Sequence, residues 1–139
     1  MKKERVALTP TLTLWKSAMR HDRLAAQEQL ANTAIDQLRA WVTLGGTVLF
    51  GTDLGAVDYN PSEEYALTEQ AGMSFRQILV SLTVAPAERF GESEQLGRIA
   101  RGLQADLVVL KDDPCNDIRA LAAARYTLRA GKIIYRPGD

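Results

Sequence analysis

The run Thr47-Val48-Leu49-Phe50, set between Gly45-Gly46 and Gly51, constrains this chain more than any other segment. Four residues with no polar alternation, bounded by glycines, suit a strand covered on both faces, as in a parallel sheet. A long helical pattern precedes it. From Asp22, which offers a side-chain cap, Leu30, Ala34, Leu38 and Trp41 recur at helical spacing with Ala31, Ile35 and Val42 beside them. Gly45-Gly46 can adopt the positive φ that ends such a helix. Upstream, Val6-Ala7-Leu8-Thr9 reads as a short buried strand, stopped at Pro10 because proline has no N–H for the ladder. Strand, long crossover helix and strand make a βαβ unit, which lies in a parallel sheet flanked by helices. Residues 11–20 are ambiguous between helix and loop.

The remainder changes texture twice. Residues 51–62 read as loop, and residues 63–71 as a helix stopped by Gly72. Ser74 and Gln77 form a Ser-x-x-Gln capping box that opens a helix through Leu82. Pro86 sits in the first turn of another short helix ending at Gly91. After about residue 95 the pattern becomes strand-like, with strands expected at Ile99-Ala100 and at residues 106–110. Asp112-Asp113-Pro114 is a turn, residues 118–124 a short helix, and residues 126–129 and 132–135 a hairpin around Ala130-Gly131.

With 139 residues the chain is one ordinary domain, too short for a complete (β/α)8 barrel, which takes roughly 200 or more. Hydrophobic residues at 46% and charged residues at 24% exclude disorder. There is no apolar run of about 18 residues, so no membrane-spanning helix is expected. The basic start is interrupted by Thr9, Pro10, Thr11 and Thr13 and has no Ala-x-Ala site, which speaks against a signal peptide; the default location is cytoplasmic. The net charge of +0 hides a segregation: +4 over residues 1–23, −1 over 24–52, −6 over 53–94 and +3 over 95–139. The acidic block reads first as a solvated helix face, and second as a means of gathering a cation or cationic substrate.

Asp53 is the first candidate for chemistry. It follows Phe50-Gly51-Thr52 at the C-terminal end of the buried run, the edge at which α/β sheets bind ligands. Read from spacing alone, it is more readily an Asx turn or a helix cap than a working carboxylate. Asp58, Glu63 and Glu64 follow closely and could line the same loop, although Glu63 and Glu64 are ordinary first-turn residues favoured by the helix dipole. His21, the single histidine, lies between Arg20 and Asp22 in a polar stretch and reads as exposed. Cys115, the single cysteine, excludes an internal disulfide and a cysteine zinc cluster, and no basic group beside it would make it a nucleophile. No glycine-rich phosphate loop follows a strand, and the basic start has no interleaved aromatics beyond Trp15, so nucleic acid is not an expected partner.

Three stretches in this order resemble the C-terminal portion of the amidohydrolase superfamily, particularly its imidazolonepropionase-like branch. They are Leu8-Thr9-Pro10-Thr11-Leu12; Val48-Leu49-Phe50-Gly51-Thr52-Asp53; and a longer third. The third runs from Ala71-Gly72-Met73 through Leu82-Thr83, Pro86-Ala87-Glu88 and Leu96-Gly97. It continues into Gly102-Leu103-Gln104-Ala105-Asp106-Leu107-Val108-Val109-Leu110, Asp113-Pro114, Asp117-Ile118 and Ala130-Gly131-Lys132. The resemblance implies an α/β chain forming the C-terminal part of a (β/α)8 TIM-type barrel, its last two strands and helices, followed by part of a small β-sandwich. Residues 1–94 would be the barrel portion and 95–139 the sandwich portion.

The activity implied is metal-dependent hydrolysis of an amide or other C–N bond of a small-molecule or dipeptide substrate. A divalent ion, zinc, is implied for the complete enzyme and none for this chain alone. Asp53 matches the strand-eight aspartate, which touches the metal and shuttles the water's proton. The family's His-x-His pair, its strand-four lysine or carboxylate and its later histidines have no counterpart here. The chain is therefore expected to be an inactive fragment that needs a missing N-terminal half of the barrel or associates with itself. A non-catalytic interaction or assembly module is the alternative.

Overall fold

The computed structural model describes residues 6–17, 24–53, 55 and 60–138; His21, Asp22 and Asp58 lie outside them. Two strands, β1 (Ala7–Leu8) and β2 (Thr47–Val48), pair in parallel with Ala7 opposite Thr47 and Leu8 opposite Val48. Between them runs α2 (Leu24–Thr43), after a short α1 (Leu12–Ser17) that makes part of the ambiguous stretch helical, residues 18–20 lying outside the described residues. The βαβ unit is thus present. Among the described residues its ladder is shorter than the sequence runs, two residues on each strand. Past the end of β2 the Leu49 N–H donates to the Leu8 carbonyl at 2.9 Å, and the Phe50 N–H to the Ser81 carbonyl at 3.1 Å.

The helix stripe read from the sequence is the buried one. Ala31, Ile35 and Leu38 are buried, with Ala34, Trp41 and Val42 half-buried beside them. At the end of α2, Gly45 (φ 68) donates to the Val42 carbonyl and Gly46 to that of Trp41. Gly46 is required for a second reason: a Cβ there would fall 2.1 Å from Cε2 of Trp41. That close approach lets the indole N–H donate to the Thr47 carbonyl at 2.9 Å, pinning helix to strand.

Three helices follow: α3 (Ser62–Gln70), α4 (Phe75–Leu82) and α5 (Val84–Arg89). The capping box at α4 is formed as read, with Ser74 and Gln77 satisfying each other's backbone. One core unites these elements: Leu12, Ile35, Leu38, Val48, Tyr65, Leu67, Ala71, Met73, Ile78 and Ile118. Each large aliphatic side chain so buried contributes about 1.5–3 kcal/mol relative to exposure.

The C-terminal unit is an antiparallel sheet in the order β3 (Leu107–Leu110), β4 (Ala124–Arg129), β5 (Lys132–Tyr135). Its hairpin turns at Ala130 (φ 48) and Gly131 (φ 77), the paired positive φ of a tight hairpin turn. The turn is docked: the Ala130 N–H donates to Asp106 Oδ1 at 2.7 Å. The short helix expected over residues 118–124 is a 3₁₀ helix, Ile118–Ala122, and Ala124 already opens β4. Ile118 inserts from it into the main core.

One expectation fails. Ile99-Ala100 is not a strand: Ile99 is 89% exposed and the Ala100 carbonyl accepts from the Leu103 N–H in a turn. Gly97 and Gly102, both at positive φ, flank the pair, and their turn geometry overrides the β-preference of isoleucine. Among the described residues no helix is long and apolar enough to cross a membrane.

Candidate active site at the exit of the parallel pair

Asp53 lies where the sequence placed it, in the loop leaving β2, and it is exposed. Its backbone is left-handed, at φ 55. The exit of β1 carries a second such residue, Thr11 at φ 45. Among the described residues the third non-glycine of this kind is Ala130, in the hairpin turn. A β-branched residue in this region is a true outlier, costing on the order of 1–3 kcal/mol, and such strain concentrates at functional sites.

The two exits touch. A Cβ on Gly51 would stand 2.4 Å from Cγ2 of Thr9, so the loops approach this closely only because residue 51 is glycine. Phe50, just before, stacks on Tyr65 of α3 with ring centroids 4.5 Å apart and planes 19° from parallel. Burial pushes the Tyr65 phenol above its usual range. Folded and unfolded states therefore hold this proton alike below about pH 10, whereas above it the unfolded phenol ionises first. Stability should fall as pH rises beyond about 10, and less steeply in Tyr65→Phe; urea titrations across that range check this.

Glu64 departs from the sequence reading. It is neither a solvated first-turn acid nor a wall of the Asp53 loop, but is 1% exposed and turned onto α1. Its Oε1 accepts from the Leu12 N–H at 2.8 Å, and its Oε2 accepts from the Thr13 N–H and the Thr13 hydroxyl, both at 2.7 Å. A readable signal existed. Glu64 lies at i of an i, i+3, i+4, i+7 stripe completed by Leu67, Thr68 and Ala71, all buried. Glu63 pairs instead with Lys16 on the surface.

Cys115 is exposed, and its thiol is pushed up by desolvation and then by the hydrogen bond and charge of Asp113, which leaves it a poor nucleophile. A separate open pocket of about 430 Å³, lined by Lys111, Arg125, Tyr126, Arg136 and Pro137, belongs to the C-terminal sheet and had no sequence signal.

The Asp53 loop leaves the carboxyl end of β2, the edge at which open α/β sheets generally bind ligands. Residues 2–135 match the Amidohydrolase family model, and this chain belongs to that family. Imidazolonepropionase of Thermoplasma acidophilum is 29% identical over 114 residues, covering 78% of this chain and 28% of that protein. Ochratoxinase of Aspergillus niger is 24% identical over 118 residues, covering 82% and 25%. A crystal structure of a Xaa-Pro dipeptidase with methionine in its active site shares the fold. Its TM-score is 0.85 at 21% identity, over 98% of this chain and 36% of that one. The chain thus spans 25% to 36% of the length of these relatives.

The amidohydrolase superfamily is generally metal-dependent. The described residues do not fit a metal on their own: no three His, Cys, Asp or Glu side chains among them stand close enough to hold an ion. A zinc cage takes three or four protein donors, and Asp53 is one carboxylate.

Proposed function

We propose that this chain is the C-terminal part of a hydrolase that cleaves an amide or other C–N bond in a small molecule or dipeptide, with Asp53 as its contribution to the reacting centre. The observation that carries the reading is the placement of Asp53: an exposed carboxylate on left-handed backbone, at the exit of a parallel strand, against the exit of its neighbour. The family match supports the bond type, and the dipeptidase among the structural neighbours supports the substrate size. On this reading residues 1–94 complete a (β/α)8 barrel and residues 95–139 a small β-sandwich. The rest of both comes from polypeptide outside the 139 residues.

Asp53 would take the proton of the attacking water on a carboxylate oxygen and deliver it to the departing nitrogen. A divalent ion, zinc on this reading, would be held only in part by this chain, and the chemistry it would supply is Lewis-acid activation. Asp53 would be one of its ligands, and the others would come from histidine-bearing strands outside this chain. The test is co-expression with a polypeptide carrying those strands, followed by assay against N-acyl amino acids and dipeptides. Chelator-sensitive hydrolysis by the assembled protein, and none by the chain alone, is expected. An assembled, zinc-loaded protein inert to every C–N substrate would overturn the reading.

The alternative, an assembly module, draws on the exposed apolar side chains of the C-terminal sheet, among them Val108, Ile133, Ile134 and Tyr135. Surfaces of this kind are seldom left open by a soluble monomer. The isolated chain is therefore expected to self-associate and to bind a dye for apolar surface. Sedimentation velocity on fresh protein checks this, and a compact, dye-silent monomer would count against an incomplete barrel and sandwich alike.

A further inference from the structure

We infer that Glu64 and Tyr65, consecutive residues of α3, form a bracket that fixes both strand exits and so positions Asp53, with Glu64 as the positioning residue. This rests on the reading of Asp53 as the working carboxylate.

Glu64 and Tyr65 are both buried, at 1% and 7% exposure. Glu64 holds the exit of β1. The N–H groups of Leu12 and Thr13 open α1 and have no partner within that helix. Glu64, 51 and 52 residues away, accepts both, and the Thr13 hydroxyl as well. These bonds clamp the chain immediately after Thr11, the residue strained at φ 45. Tyr65 holds the exit of β2 by stacking on Phe50, three residues before Asp53. The Thr9–Gly51 approach then locks one exit against the other. Two routes from adjacent α3 residues therefore converge on residues 50–53.

The choice of a carboxylate is informative. A local Ser, Thr or Asp could cap a helix as short as α1. A remote acid does something a local cap cannot: it ties the β1 exit to the helix that follows the Asp53 loop. Glutamine is nearly isosteric but offers one acceptor oxygen, and its amide group would face an N–H donor. Glu64→Gln therefore loosens the clamp without emptying the site. Thr13→Ala removes one of the three hydrogen bonds and is the milder variant.

The experiment has two arms. In the assembled enzyme, kcat and KM are measured per metal-loaded site for Glu64→Gln, Thr13→Ala and Asp53→Asn. Glu64→Gln is expected to lower kcat about 10²-fold with KM nearly unchanged, the scale set by a 1 Å misplacement of a reacting group. Thr13→Ala should lower it roughly tenfold, as for one hydrogen bond to a charged group. In the assembled protein, deuterium exchange of Glu64→Gln read by mass spectrometry should accelerate in peptides covering residues 6–17 and 47–53 and stay unchanged over β3, β4 and β5. A purely structural Glu64 would lower the folded yield while leaving kcat per loaded site at the parental value, and that result overturns the inference. If Asp53→Asn retains turnover, the functional reading falls instead. The exchange arm then decides the bracket: unchanged exchange over residues 47–53 in Glu64→Gln would refute it.

Discussion

Replacing Asp53 by asparagine in the assembled enzyme should cut turnover by roughly 10²–10⁴-fold, the usual contribution of a positioned proton-transfer group, while leaving the fold intact. The separation of the two effects follows from the geometry. Among the described residues the Asp53 side chain has no hydrogen-bond or ion-pair partner, so nothing structural is lost with its charge. Asparagine also tolerates the left-handed backbone that residue 53 adopts at φ 55. An amide cannot accept the water's proton at neutral pH. Parallel assays of turnover and thermal unfolding check this: near-parental turnover, or a large loss of stability, would each show that the role is wrongly assigned.

Whatever depends on neighbours in sequence was legible. The α2 stripe, the Ser74–Gln77 box and the Ala130-Gly131 hairpin are set by spacing and φ preference within a few residues, and all three are formed. The position of Asp53 was legible for the same reason, since glycines bracket the strand before it. Its chemistry was not. Spacing alone favours an Asx turn or a helix cap, and the proton role entered through the family likeness, whose family level the match over residues 2–135 bears out. The burial of Glu64 was legible in its i, i+3, i+4, i+7 stripe and was missed; its donors, 51 and 52 residues upstream, are a pairing that no local pattern encodes. Ile99-Ala100 shows the reverse error, a β-preferring residue read without the positive-φ glycines on either side. The strain at Thr11 had no sequence signal, because threonine is not a residue that advertises a left-handed turn.

The second large effect is on stability. Leu38→Ala is expected to cost about 2–5 kcal/mol, the range for emptying a buried leucine site that the surroundings cannot refill. Leu38 is 1% exposed, on α2, in one cluster with Leu12 of α1, Val48 of β2 and Ile78 of α4. It therefore serves the crossover helix, both strand-proximal elements and the helix whose Ser81 carbonyl receives the Phe50 N–H. Domains of this size are stable by roughly 5–15 kcal/mol, so the loss consumes a large share and should lower the urea midpoint steeply. Leu38→Met, which conserves volume, should cost less than about 1.5 kcal/mol. The comparison separates loss of apolar volume from change of shape, since methionine keeps the volume and alanine does not. It also bears on the site. The β1–β2 ladder sets the spacing of the two strands, and α2 packs over it through the same cluster that holds Val48, so lost α2 packing weakens the support of the strand pair that leads to Asp53. Equal midpoints for the two variants would mean that Leu38 is not at the centre of this core.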